Sequence, residues 1–92
     1  MKTAIQHDEG SGVFFADVDG HRAVLEYRRA GDTLTILHTG VPEAIGGRGI
    51  AAELTRAALE FARLRAYRVQ PRCSYAAAFM RRHPEYAELI AR

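Results

Sequence analysis

Residues 41–63 read VPEAIGGRGIAAELTRAALEFAR, with three glycines, Gly46, Gly47 and Gly49, inside four positions. Ile50, Leu54, Ala57, Ala58, Phe61 and Leu64 then recur at steps of three and four, the period of one helical face. Arg56, Glu60 and Arg63 take the polar side. The spacing predicts a helix of about 16 residues over 48–64. A helix start leaves its first N–H groups unpaired and carries partial positive charge. Glycines there remove the side chains that keep an anion away from those amides. Gly46, Gly47 and Gly49 clear the approach and Ala51 keeps the first turn small, so a diphosphate fits the loop physically. A plain chain reversal is the other reading that a glycine cluster allows. The nucleotide-triphosphate loop is excluded, because no Gly-Lys-Ser/Thr is present. The dinucleotide fingerprint G-x-G-x-x-G is absent as well.

Upstream of the glycines the period is two. Ala23, Leu25 and Tyr27 alternate with Val24, Glu26 and Arg28. Leu34, Ile36 and His38 alternate with Thr33, Thr35 and Leu37. Asp19-Gly20 favours a tight hairpin and Ala30-Gly31-Asp32 a second turn. Together these predict a three-strand antiparallel meander near 12–18, 21–29 and 32–40. Residues 2–7 are a candidate short edge strand. Downstream, Tyr67 to Gln70 reads as a short strand stopped by Pro71. Ser74 is a candidate cap for a helix through YAAAFMRR, and Pro84 suits the first turn of a last helix. Tyr86, Leu89 and Ile90 form that helix's apolar face. The helix over 48–64 is long enough for strands three and four to lie parallel in one mixed sheet.

Length and composition bound the function. Ninety-two residues and a 48% hydrophobic fraction suit a single domain over 1–92 with one modest core. Thirteen basic against eleven acidic residues leave a net charge of +2, too weak to argue for nucleic acid or an anionic membrane. The helix over 48–64 also carries apolar rather than basic residues on its coherent face. Cys73 is the one cysteine, so neither an internal disulfide nor a multi-cysteine metal site is available, and no metal is expected. A reducing, cytoplasmic setting is the expectation. MKTAIQHDEG lacks the apolar stretch of a signal peptide, and no apolar run approaches the roughly 20 residues that cross a bilayer.

Strand, glycine loop, helix, short strand and helix in this order resemble the core of the GNAT superfamily of N-acetyltransferases. Its loop is R/Q-x-x-G-x-G/A. Gly49-Ile50-Ala51 matches the second half, with Gly46 where arginine or glutamine is usual. LHTGVPEAIGGRGIAAELTRAALEFAR followed by CSYAAAFMRRHPEY is similar to that superfamily's minimal acetyltransferase-like subfamily. Its pattern is H-T-x-V-P-x-x-x-x-G-x-G-I, then C-P-x-x-x-x-Y-I-x-R-H-P-E-Y. The resemblance runs from about residue 13 to 90. It implies a mixed α+β domain with the acyl-CoA N-acyltransferase-like fold: an antiparallel three-strand meander, a helix, a parallel strand and two short C-terminal helices.

By the same resemblance the coenzyme is acetyl-CoA. Gly46, Gly47, Arg48, Gly49, Ile50 and Ala51 grip its diphosphate, and Val41 marks the end of the strand beside which the pantetheine arm lies. Acetyl transfer to an amine also needs a base for the ammonium and a proton for the leaving thiolate. His38 ends the strand where the reaction would occur and reads either as the candidate base or as a histidine filling one face of the sheet, hydrogen-bonded to a neighbour. Cys73 follows the second splayed strand, which places it across the gap from His38 and Val41. Proton donor, acetyl-accepting nucleophile and small buried hydrophobe are its three readings. The subfamily tyrosine on the following helix is Phe79 here, which has no proton to give; Tyr75 lies one turn earlier. Arg72, Arg81 and Arg82 are candidates for the 3′-phosphate of the coenzyme or for a solvated helix face. His7 and His21 read as surface positions, and His83 as a cap for the last helix. The acceptor amine, small-molecule or protein, is expected on an open side of a monomer or weak homodimer. A non-catalytic coenzyme A or acyl-CoA binding module, or an interaction domain on the same fold, is the alternative. Phe79, Gly46 and the short chain support it.

Overall fold

Asp19 and Gly20 both take positive φ, 50° and 78°, the geometry a two-residue hairpin needs to match strand twist. They join β2 (Val13–Val18) to β3 (His21–Ala30), paired antiparallel from Val18↔His21 to Val13↔Glu26. Gly31, at φ 61°, turns the chain into β4 (Thr33–Gly40). The computed structural model describes residues 3–91. The expected edge strand forms as β1 (Gln6–Asp8), antiparallel to β2; residue 2 lies outside the described residues. After α1 (Ile50–Leu64), β5 (Arg68–Pro71) returns parallel to β4, completing a mixed sheet in the order β1-β2-β3-β4-β5. α2 (Ser74–Arg82) and a 3-10 helix over Pro84–Leu89 follow. Val69 then bridges Ile90, and the Ala91 amide donates to the Val69 carbonyl, so the chain end protects the free edge of β5.

The core forms on one face of the sheet only. Phe14, Ala16, Ala23, Leu25, Tyr27, Leu34, Ile36 and Val69 point inward against Leu54, Ala58, Leu59 and Ala62 of α1, with Ala76, Phe79 and Met80 of α2 beside them. Fully burying a side chain such as Leu54 or Leu59 contributes about 1.5–3 kcal/mol. The buried face of α1 is wider than the stripe the sequence predicts. Thr55, Leu59 and Ala62 are buried too, because α1 touches the sheet on one side and α2 and the 84–89 segment on another. The Thr55 hydroxyl donates to the Ala51 carbonyl at 2.8 Å and so carries no unpaired polar atom inside. Leu64, assigned to the stripe, is 84% exposed, since α1 ends there.

Three further expectations change. The last helix is 3-10 rather than α, and Ile90 lies beyond it, exposed, while Tyr86 and Leu89 are buried. Cys73, not Ser74, is the residue preceding α2; Ser74 is its first helical position. His7 is exposed, as expected, but its ring is not free. Its ring stacks on Phe14 at 3.8 Å and meets Phe61 edge-on at 4.6 Å, while Nε2 lies 2.7 Å from the Tyr27 hydroxyl. Burial, partly opposed by Glu9, holds its imidazole below the ordinary histidine range.

Candidate functional site

The register of β4 and β5 opens the site. Thr33 to Ile36 pair with Arg68 to Pro71. The Arg72 and Cys73 amides then both donate to the Ile36 carbonyl, at 3.0 and 3.1 Å. Beyond Ile36, β4 continues through Leu37–Gly40 paired with β3 alone, and the side facing β5 parts.

A bulge in β4 decides which side chains face where. Tyr27 pairs with Ile36, but Glu26 pairs with His38, leaving Leu37 as an extra residue. In an unbroken ladder His38 would share the inner face of Leu34 and Ile36, as its alternation predicts. One inserted residue moves it to the outer face, beside Glu26. There it is exposed, with Nε2 folded back over Gly40, where an added Cβ would sit 3.0 Å away. Thr39 faces inward opposite Leu25.

Cys73 meets Thr39, not His38. Its half-buried thiol donates to Thr39 Oγ1 at 3.6 Å across the mouth of the gap. The expected juxtaposition of Cys73 with His38 is therefore corrected: the two occupy opposite faces of β4. Sequence reading missed Thr39, whose only signal was its place in the His-Thr pair. Burial pushes the Cys73 thiol up, but the Ala76 amide, the Thr39 hydroxyl and the Tyr75 and Thr39 backbone groups favour the thiolate. The net result lies below the ordinary cysteine value. The thiolate is the reactive form, so a lowered pKa brings reactivity in at lower pH. Iodoacetamide labelling of Cys73 followed against pH is expected to reach half-maximal rate earlier in the folded protein than in the urea-unfolded chain. Coincident midpoints would count against the helix-start environment.

The glycine loop is built from the backbone outward. Pro42 leads into a 3-10 turn over Glu43–Ile45, whose closing amides are those of Ile45 and Gly46. Ile45 is fully buried and anchors the turn, a role the sequence reading did not assign. Val41 is half-buried against the core. Gly47 and Gly49 both have φ 76°, the left-handed region, and the space a Cβ would take at either holds no atom within 4 Å. Gly46 is extended, and a Cβ there would stand 3.3 Å from the Glu43 carbonyl oxygen. Gly46 has backbone angles that any residue adopts, so its φ does not explain the missing arginine or glutamine.

The first bond of α1 is from the Glu53 amide to the Gly49 carbonyl. The amides of residues 47–52 have no hydrogen-bond partner among the described residues. These six donors lie at or just before the start of α1, and the space beside Gly47 and Gly49 is open. The residues present fit a diphosphate. Arg48 turns its side chain away, pairing with Asp19 at 2.8 Å, and so offers this site its amide alone. A groove of about 510 Å³ lined by Thr3, Ala4, Asp17, Val18, Asp19, Arg48 and Ile50 runs alongside.

The remaining candidates separate. Phe79 is buried and stacks on His83 at 3.9 Å, with the Arg56 guanidinium 5.5 Å from its ring centroid. Tyr75 is exposed, its ring centroid 6.3 Å from that of Phe79. His83 Nδ1 lies 2.8 Å from the Phe79 carbonyl, so it closes the end of α2 rather than capping the 84–89 helix. Arg72, Arg81 and Arg82 are exposed and form no salt bridge among the described residues. No helix among the described residues is long and apolar enough to cross a membrane.

Comparison with known proteins gives the family and the fold. Residues 13–89 match the family described as GCN5-related N-acetyl-transferase. The chain is similar to Protein NATD1 of Bos taurus, 37% identical over 91 residues, covering 94% of this chain and 80% of that protein. It is 35% identical to Protein NATD1 of Danio rerio, with 94% and 83% covered. The solution structure of a GCN5-like protein from Staphylococcus aureus superposes with a TM-score of 0.75 at 26% identity, over 97% of this chain and 88% of that one.

Proposed function

The chain belongs to the GCN5-related N-acetyltransferase family, and from that membership we propose that it moves an acetyl group from acetyl-coenzyme A to an amine. The observation that carries the reading is the set of unpartnered amides at residues 47–52, beside the point where β4 and β5 part. When bound there, acetyl-coenzyme A supplies an activated thioester.

The chain's own residues supply the rest. Backbone N–H groups of residues 47–52 hold the diphosphate without a side chain. Val41 and the free edge of β4 over Leu37–Gly40 line the path of the pantetheine arm. Cys73 Sγ, held by Thr39 at the inner side of the mouth, carries a proton for the departing thiolate. His38, on the outer face, accepts the ammonium proton through its imidazole.

Calorimetry with acetyl-coenzyme A tests the binding step; absence of saturable heat at high micromolar coenzyme would remove the reading. Cys73→Ala is expected to lower kcat by about a hundredfold, the usual contribution of general acid catalysis, while coenzyme affinity stays near the parent value. Unchanged turnover would take Cys73 out of the chemistry. A non-catalytic coenzyme A-binding or protein-interaction module has one observation in its favour: Phe79 is buried without a hydroxyl where the subfamily has tyrosine. Tight coenzyme binding without acetyl loss across a panel of amines would favour it.

A further inference from the structure

Among the described residues the outer face of the sheet carries no helix, and one carboxylate stands in it without a partner. β2–β4 contain two carboxylates, Asp17 and Glu26. Asp17 accepts two hydrogen bonds from Arg22, at 2.8 and 3.0 Å. Glu26 has no hydrogen bond or ion pair among the described residues. The β4 bulge sets Leu37 and His38 both opposite it, and directly paired residues share a face. His38 lies on the segment of β4 that has lost β5. A surface depression of about 800 Å³ reaches Glu26 and Leu37, and Arg28, Arg29 and the Glu9–Val13 turn also line it.

We propose that Glu26 is a specificity-determining residue: it receives the incoming acceptor as an ammonium ion and hands it to His38, so that the acceptor is a cationic alkylamine approaching over the outer face. This rests on the acetyltransferase reading above. An unpaired carboxylate on an exposed strand gains a charge-assisted hydrogen bond from an ammonium at little desolvation cost. The other charged groups toward this face set the limits. Arg28, two residues along β3, disfavours a second cation beyond Glu26. Glu9 is occupied by Arg65 at 3.2 Å, and Asp17 by Arg22. Among the described residues Glu26 is therefore the unpaired carboxylate that the sheet register sets opposite His38. The bulge makes the pair: without the extra Leu37, Glu26 would face a leucine and His38 the core.

The test uses the full chain and needs no turnover. Butylamine, cationic at neutral pH, is titrated at millimolar concentration into the isotope-labelled protein, with butanol as the uncharged probe, and backbone amide NMR shifts are followed. Butylamine is expected to move residues 26, 28, 37 and 38 in a saturable way, and butanol is not. Glu26→Gln is expected to weaken the butylamine response by about tenfold, as for a lost charged hydrogen bond, and Glu26→Asp to restore most of it. No saturable response in the parent, or an equal response in Glu26→Gln, overturns the proposal. Acetyl-coenzyme A titrated into the same sample reads residues 46–52 separately, so failure of coenzyme binding is distinguished from failure at Glu26. With turnover, Glu26→Gln is expected to raise KM for butylamine while leaving kcat and KM for aniline, uncharged at neutral pH, near parent values. An equal KM increase for both amines would mean a merely structural role.

Discussion

Replacing Gly49 with aspartate is expected to weaken acetyl-coenzyme A binding by on the order of a hundredfold while the protein stays folded. Gly49 precedes α1 with φ 76° and ψ 16°. Aspartate and asparagine tolerate that region better than other side chains, because they bond locally to the backbone. An added Cβ meets nothing within 4 Å. The new carboxylate therefore enters the space above the free amides. At about 5 Å and an effective dielectric near 20, its repulsion of one diphosphate charge is about 3 kcal/mol. Gly49→Asn has the same shape without the charge and is expected to bind within a fewfold of the parent. Calorimetry on both variants, with thermal unfolding as the check on folding, separates charge from shape. Added salt should relieve the aspartate defect in part, since the repulsion is screened. Equal losses in the two variants would place the diphosphate elsewhere.

Much of this architecture was legible because local chemistry and global fold agree. Asp19-Gly20 and Gly31 take the positive φ that hairpins demand, and the change of period from two to 3.6 falls where the strands give way to α1. The glycine loop was readable for the same reason: Gly47 and Gly49 need their φ. The outer face of β4 was not. Nothing in TLTILHTG announces a bulge, because the strand keeps its alternating pattern through Leu37 and His38. The extra residue is tolerated where β5 stops pairing and the ladder is no longer held from both sides. One residue of register then moves His38 away from Cys73 and brings it to Glu26, which alternation alone had marked as an ordinary solvent position. Leu64 and Ile90 failed differently. Each follows the apolar spacing but falls at the end of an element, where no neighbour remains to cover it.

Gly12→Ala is expected to cost about 2–3 kcal/mol and to lower Tm by roughly 8–24 °C at the sensitivity of a domain this size. Gly12 ends the turn between β1 and β2 at φ 71°; its amide donates to the Asp8 carbonyl at 3.0 Å, and its carbonyl accepts from the Tyr27 amide at 2.9 Å. A Cβ there would stand 2.6 Å from the Tyr27 carbonyl oxygen, a backbone atom that cannot swing aside. The left-handed conformation alone costs an alanine about 1–2 kcal/mol. Relieving the contact requires the turn to move off β3, at a further ~1 kcal/mol for the stretched Tyr27–Gly12 bond. Tyr27 also carries the His7 hydrogen bond that ties β1 to the aromatic cluster. Gly31→Ala is the comparison. Its φ is 61°, but nothing lies within 4 Å of the added atom, so only the conformational term of about 1–2 kcal/mol applies. The gap between the two melting temperatures measures the close approach of the turn to β3. Equal melting temperatures would mean that the turn yields freely and does not brace Tyr27.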